Sequence, residues 1–123
     1  MLKIARSMFG HPPSKKNARA IFPSVYYFPE SQMLDCNMYI LQDPESEKFC
    51  LIDAGNGQSL AGFKSGLETL GLSFSNLQTI FITHEHLDHI LGLYTILNEL
   101  SDSELEIYVS NVTQKILAQG NEE

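Results

Sequence analysis

Apolar and β-branched residues recur along the first half of the chain in short runs separated by turn-forming clusters. Residues 21–28, 36–42 and 48–54 are rich in aromatic and β-branched side chains, a composition that suits a pleated, half-buried strand. Asp43, Pro44, Glu45 and Ser46 lie between the second and third runs, which are therefore read as a hairpin turning about Glu45. That pivot sets Cys50 opposite Ile40 and Cys36 opposite Ala54, so the two sulfurs are not cross-strand neighbours. Two unbridged, mostly buried thiols are expected.

Beyond residue 58 the period changes. Leu60, Phe63, Leu67 and Leu70 recur at helical steps, Ser59 is placed to cap the run, and Gly71 stands where a left-handed C-cap is wanted. The pattern predicts an amphipathic helix, softened by Gly62 and Gly66. Residues 77–83 read as a buried strand, 89–100 as a helix, 105–110 as a strand and 112–119 as a helix capped by Asn111. Strands first, then alternating helix and strand, predict an α/β (α+β) layer in which a mixed sheet carries helices on one face. Residues 1–19 hold breakers and no period, so they are read as an irregular basic arm and 20–123 as the domain.

With 123 residues, 43% of them apolar, the chain can bury the core of one domain or of part of one. No apolar run approaches the roughly 20 residues that span a bilayer, and the start lacks a signal-peptide stretch. A soluble protein is expected. Two cysteines are too few for a stapled secreted scaffold, which makes the cytoplasm the expected compartment. The formal charge of -7 is unevenly placed, since Lys3, Arg6, Lys15, Lys16 and Arg19 precede all fifteen acids. An acidic body offers no basic track for a phosphate backbone, which argues against nucleic acid as a partner.

Three of the four histidines, His84, His86 and His89, crowd into six positions with Asp88 among them. At the end of an extended segment, residues two apart point to the same side, so His84 and His86 can converge on one cation. Asp88 and His89 fall where the next helix begins and can turn towards a second cation. Imidazole and carboxylate donors suit zinc, the expected metal, and also iron or manganese. Two ions roughly 3.5 to 4 Å apart can share a water and bring its pKa near about 7, which serves hydrolysis. The plain alternative is a polar turn with Asp88 as N-cap, worth roughly 0.5 to 2 kcal/mol. It accounts for Asp88 and leaves three clustered histidines unexplained. Thr83 is assigned only local packing or bonding.

The run Thr83-His84-Glu85-His86-Leu87-Asp88-His89-Ile90-Leu91-Gly92 resembles the T-H-x-H-x-D-H-x-x-G motif of the metallo-β-lactamase-fold hydrolases at every fixed position. Residues 37–41 look like that family's early strand, and Leu51-Ile52-Asp53-Ala54-Gly55 like its strand ending in Asp-x-Gly. The likeness covers about residues 20–110. It implies the N-terminal half of a four-layer αββα sandwich whose two similar halves face each other. By this resemblance His84 and His86 bind a first metal and Asp88 and His89 a second. Asp88 is then also catalytic, positioning the attacking water, while Asp53 supports the metal loop from behind through hydrogen bonds.

Members of that family complete the site with a further histidine, a bridging aspartate and a last histidine from the second half of the domain. After His89 this chain offers only carboxylates, Glu99, Asp102, Glu104, Glu106, Glu122 and Glu123. The implied activity is that of a metal-dependent hydrolase in which metal-held hydroxide attacks an ester, thioester or related bond, with a motif of the general glyoxalase II type. These residues alone are then expected to be a truncated, inactive or weakly active form. With half the sandwich, one apolar sheet face lies bare, which predicts an unstable or oligomeric chain or a piece of something longer. The alternative is a non-catalytic module that assembles, as a homo-oligomer for example, through that face while retaining a partial metal site.

Overall fold

The computed structural model describes residues 18–30, 34–58 and 60–119. Its strands are β1 (Arg19–Phe22), β2 (Val25–Phe28), β3 (Met38–Gln42), β4 (Phe49–Ile52), β5 (Leu77–Phe81) and β6 (Glu106–Tyr108); its helices are α1 (Leu60–Thr69), α2 (Leu87–Glu99) and α3 (Asn111–Gln119). They form one six-stranded sheet in sequence order. The first four strands pair antiparallel, and β4, β5 and β6 pair parallel. Parallel neighbours need crossovers, and α1 and α2 supply them.

The first expected strand is in fact two. Pro23 has no N–H to give to a ladder, and Ser24 adopts φ 63°. Proline followed by a residue at positive φ suits a type II turn, so the chain reverses there and Phe22 pairs with Val25. The second hairpin is also offset from the expected register. Gln42 pairs with Phe49 and Leu41 with Cys50, which centres the turn between Glu45 and Ser46. Asp43 fixes it: its carboxylate accepts the Glu45 N–H and the Ser46 hydroxyl, and its own N–H bonds to the Lys48 carbonyl at 3.0 Å. Because strand side chains alternate with period two, one residue of slip exchanges faces. Cys50 therefore sits with Leu41 rather than with Ile40. Cys36 is buried, Cys50 half-buried, and neither is in a disulfide.

One face of the sheet is the core. Tyr26, Ile40, Leu51, Ile80 and Ile107 form a transverse row across β2 to β6. Leu60, Phe63 and Leu67 of α1 and Ile90, Leu93 and Ile96 of α2 pack with this face in one apolar cluster. The helical spacing foretold the three of α1, and Phe63 meets Phe28 of β2 at 4.8 Å between ring centroids. Gly71 ends α1 as expected: at φ 77° it lets its own N–H reach the Glu68 carbonyl and the Leu72 N–H reach that of Leu67, the paired bonds of a Schellman cap. The Ser59 cap lies outside the described residues, as does the expected arm up to residue 17. At α3 the cap is Ser110 rather than Asn111. The Ser110 hydroxyl accepts the Thr113 N–H at 3.1 Å, the bond an N-cap side chain makes. No helix among the described residues is long and apolar enough to cross a membrane.

The other face carries none of the described helices. Arg19, Tyr27, Tyr39, Ile52, Phe81 and Tyr108 form an unbroken row across all the strands. Tyr27 lies against Tyr39, Phe81 stacks on Tyr108 at 5.1 Å, and the Arg19 guanidinium covers the Tyr27 ring. Phe81 and Tyr108 are nevertheless 41% and 52% exposed. Glu106 accepts the Tyr108 hydroxyl at 2.7 Å, and through that bond and then its charge raises the phenol above its ordinary pKa.

Helix α2 lies hard against the chain leaving β4. The Gly92 N–H donates to the Gly55 carbonyl at 2.8 Å, and the Ala54 N–H to the His89 carbonyl at 2.9 Å. A Cβ at Gly92 would land on the Ala54 carbonyl oxygen, with the carbonyl carbon 2.7 Å away. Both clashing atoms are backbone. Gly92→Ala should thus cost at least about 3 kcal/mol of unfolding free energy. Gly71→Ala, which meets open space at positive φ, should cost about 1 kcal/mol. Urea denaturation of the two variants beside the wild type measures the contrast, and equal losses would remove the close approach as its cause.

Candidate metal centre

Two loops leave the carboxyl ends of adjacent parallel strands, residues 53–58 after β4 and residues 82–86 after β5. Ligand sites in open α/β sheets form outside such strand ends. The ladder continues into both loops, since the Asp53 N–H reaches the Phe81 carbonyl at 2.8 Å and the Ile82 N–H that of Tyr108 at 3.0 Å. Both loops are thereby held in register from their first residues.

Asp53 is buried and adopts φ 64°, a left-handed conformation in which Asp is among the more tolerated residues. Its carboxylate turns across to the second loop. Oδ1 accepts the Thr83 N–H at 2.9 Å, and the Thr83 hydroxyl lies 2.8 Å from Oδ2. His89 Nδ1 is 2.9 Å from Oδ2 as well. That nitrogen is buried, and it makes no aligned hydrogen bond with the oxygen, so the pair is a close approach only. The contact present is thus between Asp53 and the start of the loop that carries His84 and His86.

The histidines gather as their spacing implied. The His84 and His86 rings stand at 4.5 Å between centroids, and those of His84 and His89 at 4.0 Å. Helix α2 starts earlier than expected, at Leu87, with His86 as its N-cap residue. Asp88 is therefore in the first turn, where a carboxylate suits the helix dipole, and is not the cap. It is free to lie beside its neighbour, with Oδ2 3.6 Å from His89 Nε2. Two donors of one tetrahedral cation with bonds of about 2.0 Å stand roughly 3.3 Å apart, so this pair has close to the span a shared ion wants. Imidazole and carboxylate also fit zinc, iron or manganese chemically. Among the described residues, however, no group of three or more His, Cys, Asp or Glu side chains is arranged to hold a metal ion on its own.

Two contributors were not foreseen as parts of the site. Thr83, read as a packing residue, bridges Asp53 and His84, with its hydroxyl 2.9 Å from His84 Nδ1. Gly92 lets the first turns of α2 approach the loop that carries Asp53. The second was visible as a fixed position of the motif. The first depends on the pairing of β4 with β5, which brings residues 30 apart in sequence together.

A family model described as the metallo-beta-lactamase superfamily matches residues 32–108. No curated protein matches the chain. Among solved structures, a metallo-beta-lactamase from Cronobacter sakazakii, a mutant of its HARLDQ motif, is 26% identical at a TM-score of 0.68, over 84% of this chain and 38% of that one. A beta-lactamase from Chitinophaga pinensis is 22% identical at a TM-score of 0.71, over 88% of this chain and 37% of its own. A subclass B3 metallo-beta-lactamase from a soil metagenome library is 24% identical at 0.68, over 86% of this chain and 36% of its own. The chain thus spans little more than a third of the length of the solved structures it matches.

If the Asp53 carboxylate is the anchor of both loops, Asp53→Asn should destabilise the chain by about 1 to 3 kcal/mol, because the amide replaces one of the two oxygens that accept from the Thr83 N–H and hydroxyl with a donor. Asp53→Ala should cost more, adding strain at positive φ. Thermal and urea unfolding of both variants check this, and wild-type stability in the asparagine variant would rule out the anchoring role.

Proposed function

The chain belongs to the metallo-beta-lactamase superfamily, and on that premise we propose that it contributes half of the active site of a metal-dependent hydrolase acting on an ester, thioester or related acyl bond. The observation that carries the proposal is the meeting of three imidazoles and the Asp88 carboxylate at one strand-to-helix turn, anchored from behind by Asp53. His84 and His86 would hold one divalent cation and Asp88 with His89 a second, with Zn2+ as the favoured ion and iron or manganese as the others its donors suit. Such a cation supplies Lewis acidity, bringing the pKa of water near about 7 and polarising the bond to be cleaved.

The chain's own residues then divide the remaining work. Asp88, whose side chain is 32% exposed, faces solvent enough to accept a hydrogen bond from the attacking water and turn its lone pair towards substrate. Asp53 and Thr83 hold the ligand loop still, so little has to reorganise when substrate arrives. A small-molecule substrate fits this reading. The names of the structural neighbours point to β-lactams for those proteins, and a lactam is one member of the acyl class proposed here.

Donors beyond these 123 residues would complete the site. Ile52 and Phe81, the last residues of β4 and β5, belong to the open aromatic row and lead directly into the two site loops. Whatever covers that face, further chain or a second copy, therefore lies next to the ligands. A covering half that brings further donors is the reading we favour, and a non-catalytic assembly through the same face is the alternative. Reduced Cys36 and Cys50 suit a cytoplasmic setting.

Elemental analysis after zinc loading and gel filtration, with light scattering on the same fractions, tests this. The expected result is weak zinc retention by the monomer, lost altogether in His84→Ala/His86→Ala, and higher retention wherever copies associate. Equal zinc in the double variant and the wild type would remove these histidines from the site. In an assembled, active form of the protein, His86→Ala should abolish hydrolysis of a chromogenic thioester.

A further inference from the structure

We propose that Thr83 is a positioning residue whose hydroxyl relays the Asp53 carboxylate to His84, fixing the ring with its proton on Nδ1 and presenting Nε2 to a cation. Counting protons leaves one arrangement. Thr83 Oγ1 lies 2.8 Å from Asp53 Oδ2, 3.1 Å from Asp53 Oδ1 and 2.9 Å from His84 Nδ1. A hydroxyl carries one proton and two lone pairs, and an ionised carboxylate only accepts. Were the Thr83 proton given to His84, the hydroxyl oxygen would face both carboxylate oxygens at hydrogen-bond distance with no proton between them. It therefore goes to Asp53. The hydroxyl lone pair then accepts from His84, whose Nδ1 must be the protonated nitrogen. The nitrogen left with a free lone pair is Nε2.

The same carboxylate approaches a second ring. Asp53 Oδ2 also lies 2.9 Å from His89 Nδ1, a close approach without an aligned hydrogen bond, while His89 Nε2 lies 3.6 Å from Asp88 Oδ2. One buried acid thus lies close to one imidazole and orients another through a hydroxyl. A ligand ring pre-set in this manner does not have to exchange tautomers before it can bind. Ligand-orienting partners of this kind change metal affinity by roughly 10–100-fold when removed.

The role of the relay rests on the reading of His84 as a cation ligand, whereas the tautomer itself can be observed in the metal-free chain. Two-bond nitrogen–proton correlation spectra of the histidine-15N-labelled protein, taken with the imidazoles neutral, should show His84 with a protonated Nδ1 and an unprotonated Nε2. Thr83→Val should move His84 towards the Nε2-protonated form, Thr83→Ser should restore the wild-type pattern, and zinc affinity should fall at least about tenfold in the valine variant alone. An Nε2-protonated His84 in the wild type overturns the relay by itself, even if the valine variant does not fold. A spectrum unchanged in Thr83→Val overturns it equally. A confirmed tautomer with zinc affinity unmoved by Thr83→Val or by loss of His84 would keep the relay's geometry and reject its role at a metal site.

Discussion

Asp53 sits at φ 64°, where a residue with a Cβ carries a strain of roughly 1 to 2 kcal/mol, and the surrounding bonds explain why the chain tolerates it. Leaving β4 in that conformation turns the carboxylate sideways towards the loop after β5 instead of outwards along the strand. There it accepts from a backbone N–H and a hydroxyl, each worth more to a charged acceptor than to a neutral one, with a ring nitrogen close by. Strain at the corner and charge at the acceptor are thus two sides of one arrangement. A relaxed backbone would not aim the acid at Thr83.

That corner also explains why α2 must come so close. The loop after Asp53 bonds twice to the first turns of the helix, through Ala54 with His89 and through Gly55 with Gly92. A side chain at position 92 would push the helix away from the Ala54 carbonyl and carry His89 off with it. The glycine that closes the histidine motif is therefore a packing requirement with a chemical consequence. Its missing Cβ sets the distance between the helix that bears two of the proposed ligands, Asp88 and His89, and the acid that steadies the loop.

Much of this was legible because the chain's periods are clean. The leucine and phenylalanine spacing of α1, the glycine ending it, and the histidine cluster each depend on neighbours a few residues away, and each stands where local reasoning put it. What escaped was decided elsewhere. Pro23 splits a strand because the turn it starts can be closed by Ser24, which the apolar run conceals. The second hairpin slips by one residue because Asp43 bonds within the turn, and so Cys50 changes faces. Ser110 displaces Asn111 as the cap because its hydroxyl happens to reach the N–H three residues on. Thr83 is the clearest case, since nothing beside it in sequence reveals Asp53, which reaches it only through the pairing of β4 with β5.

The two faces of the sheet tie fold to chemistry. One is closed by α1 and α2; the other runs from Arg19 to Tyr108 as a row of large side chains, exposed at Arg19, Phe81 and Tyr108 and half-buried between them. Aromatic contacts along that row already order it, so a covering layer would meet a preformed surface and spend little conformational entropy in docking. Because Ile52 and Phe81 end the strands that lead to Asp53 and Thr83, a layer seated on the row would also shield the histidine turn from water. Desolvation strengthens every charge interaction there. Burial of the open face and completion of the metal site are on this view a single event, and the stability of the chain and its chemistry would rise together.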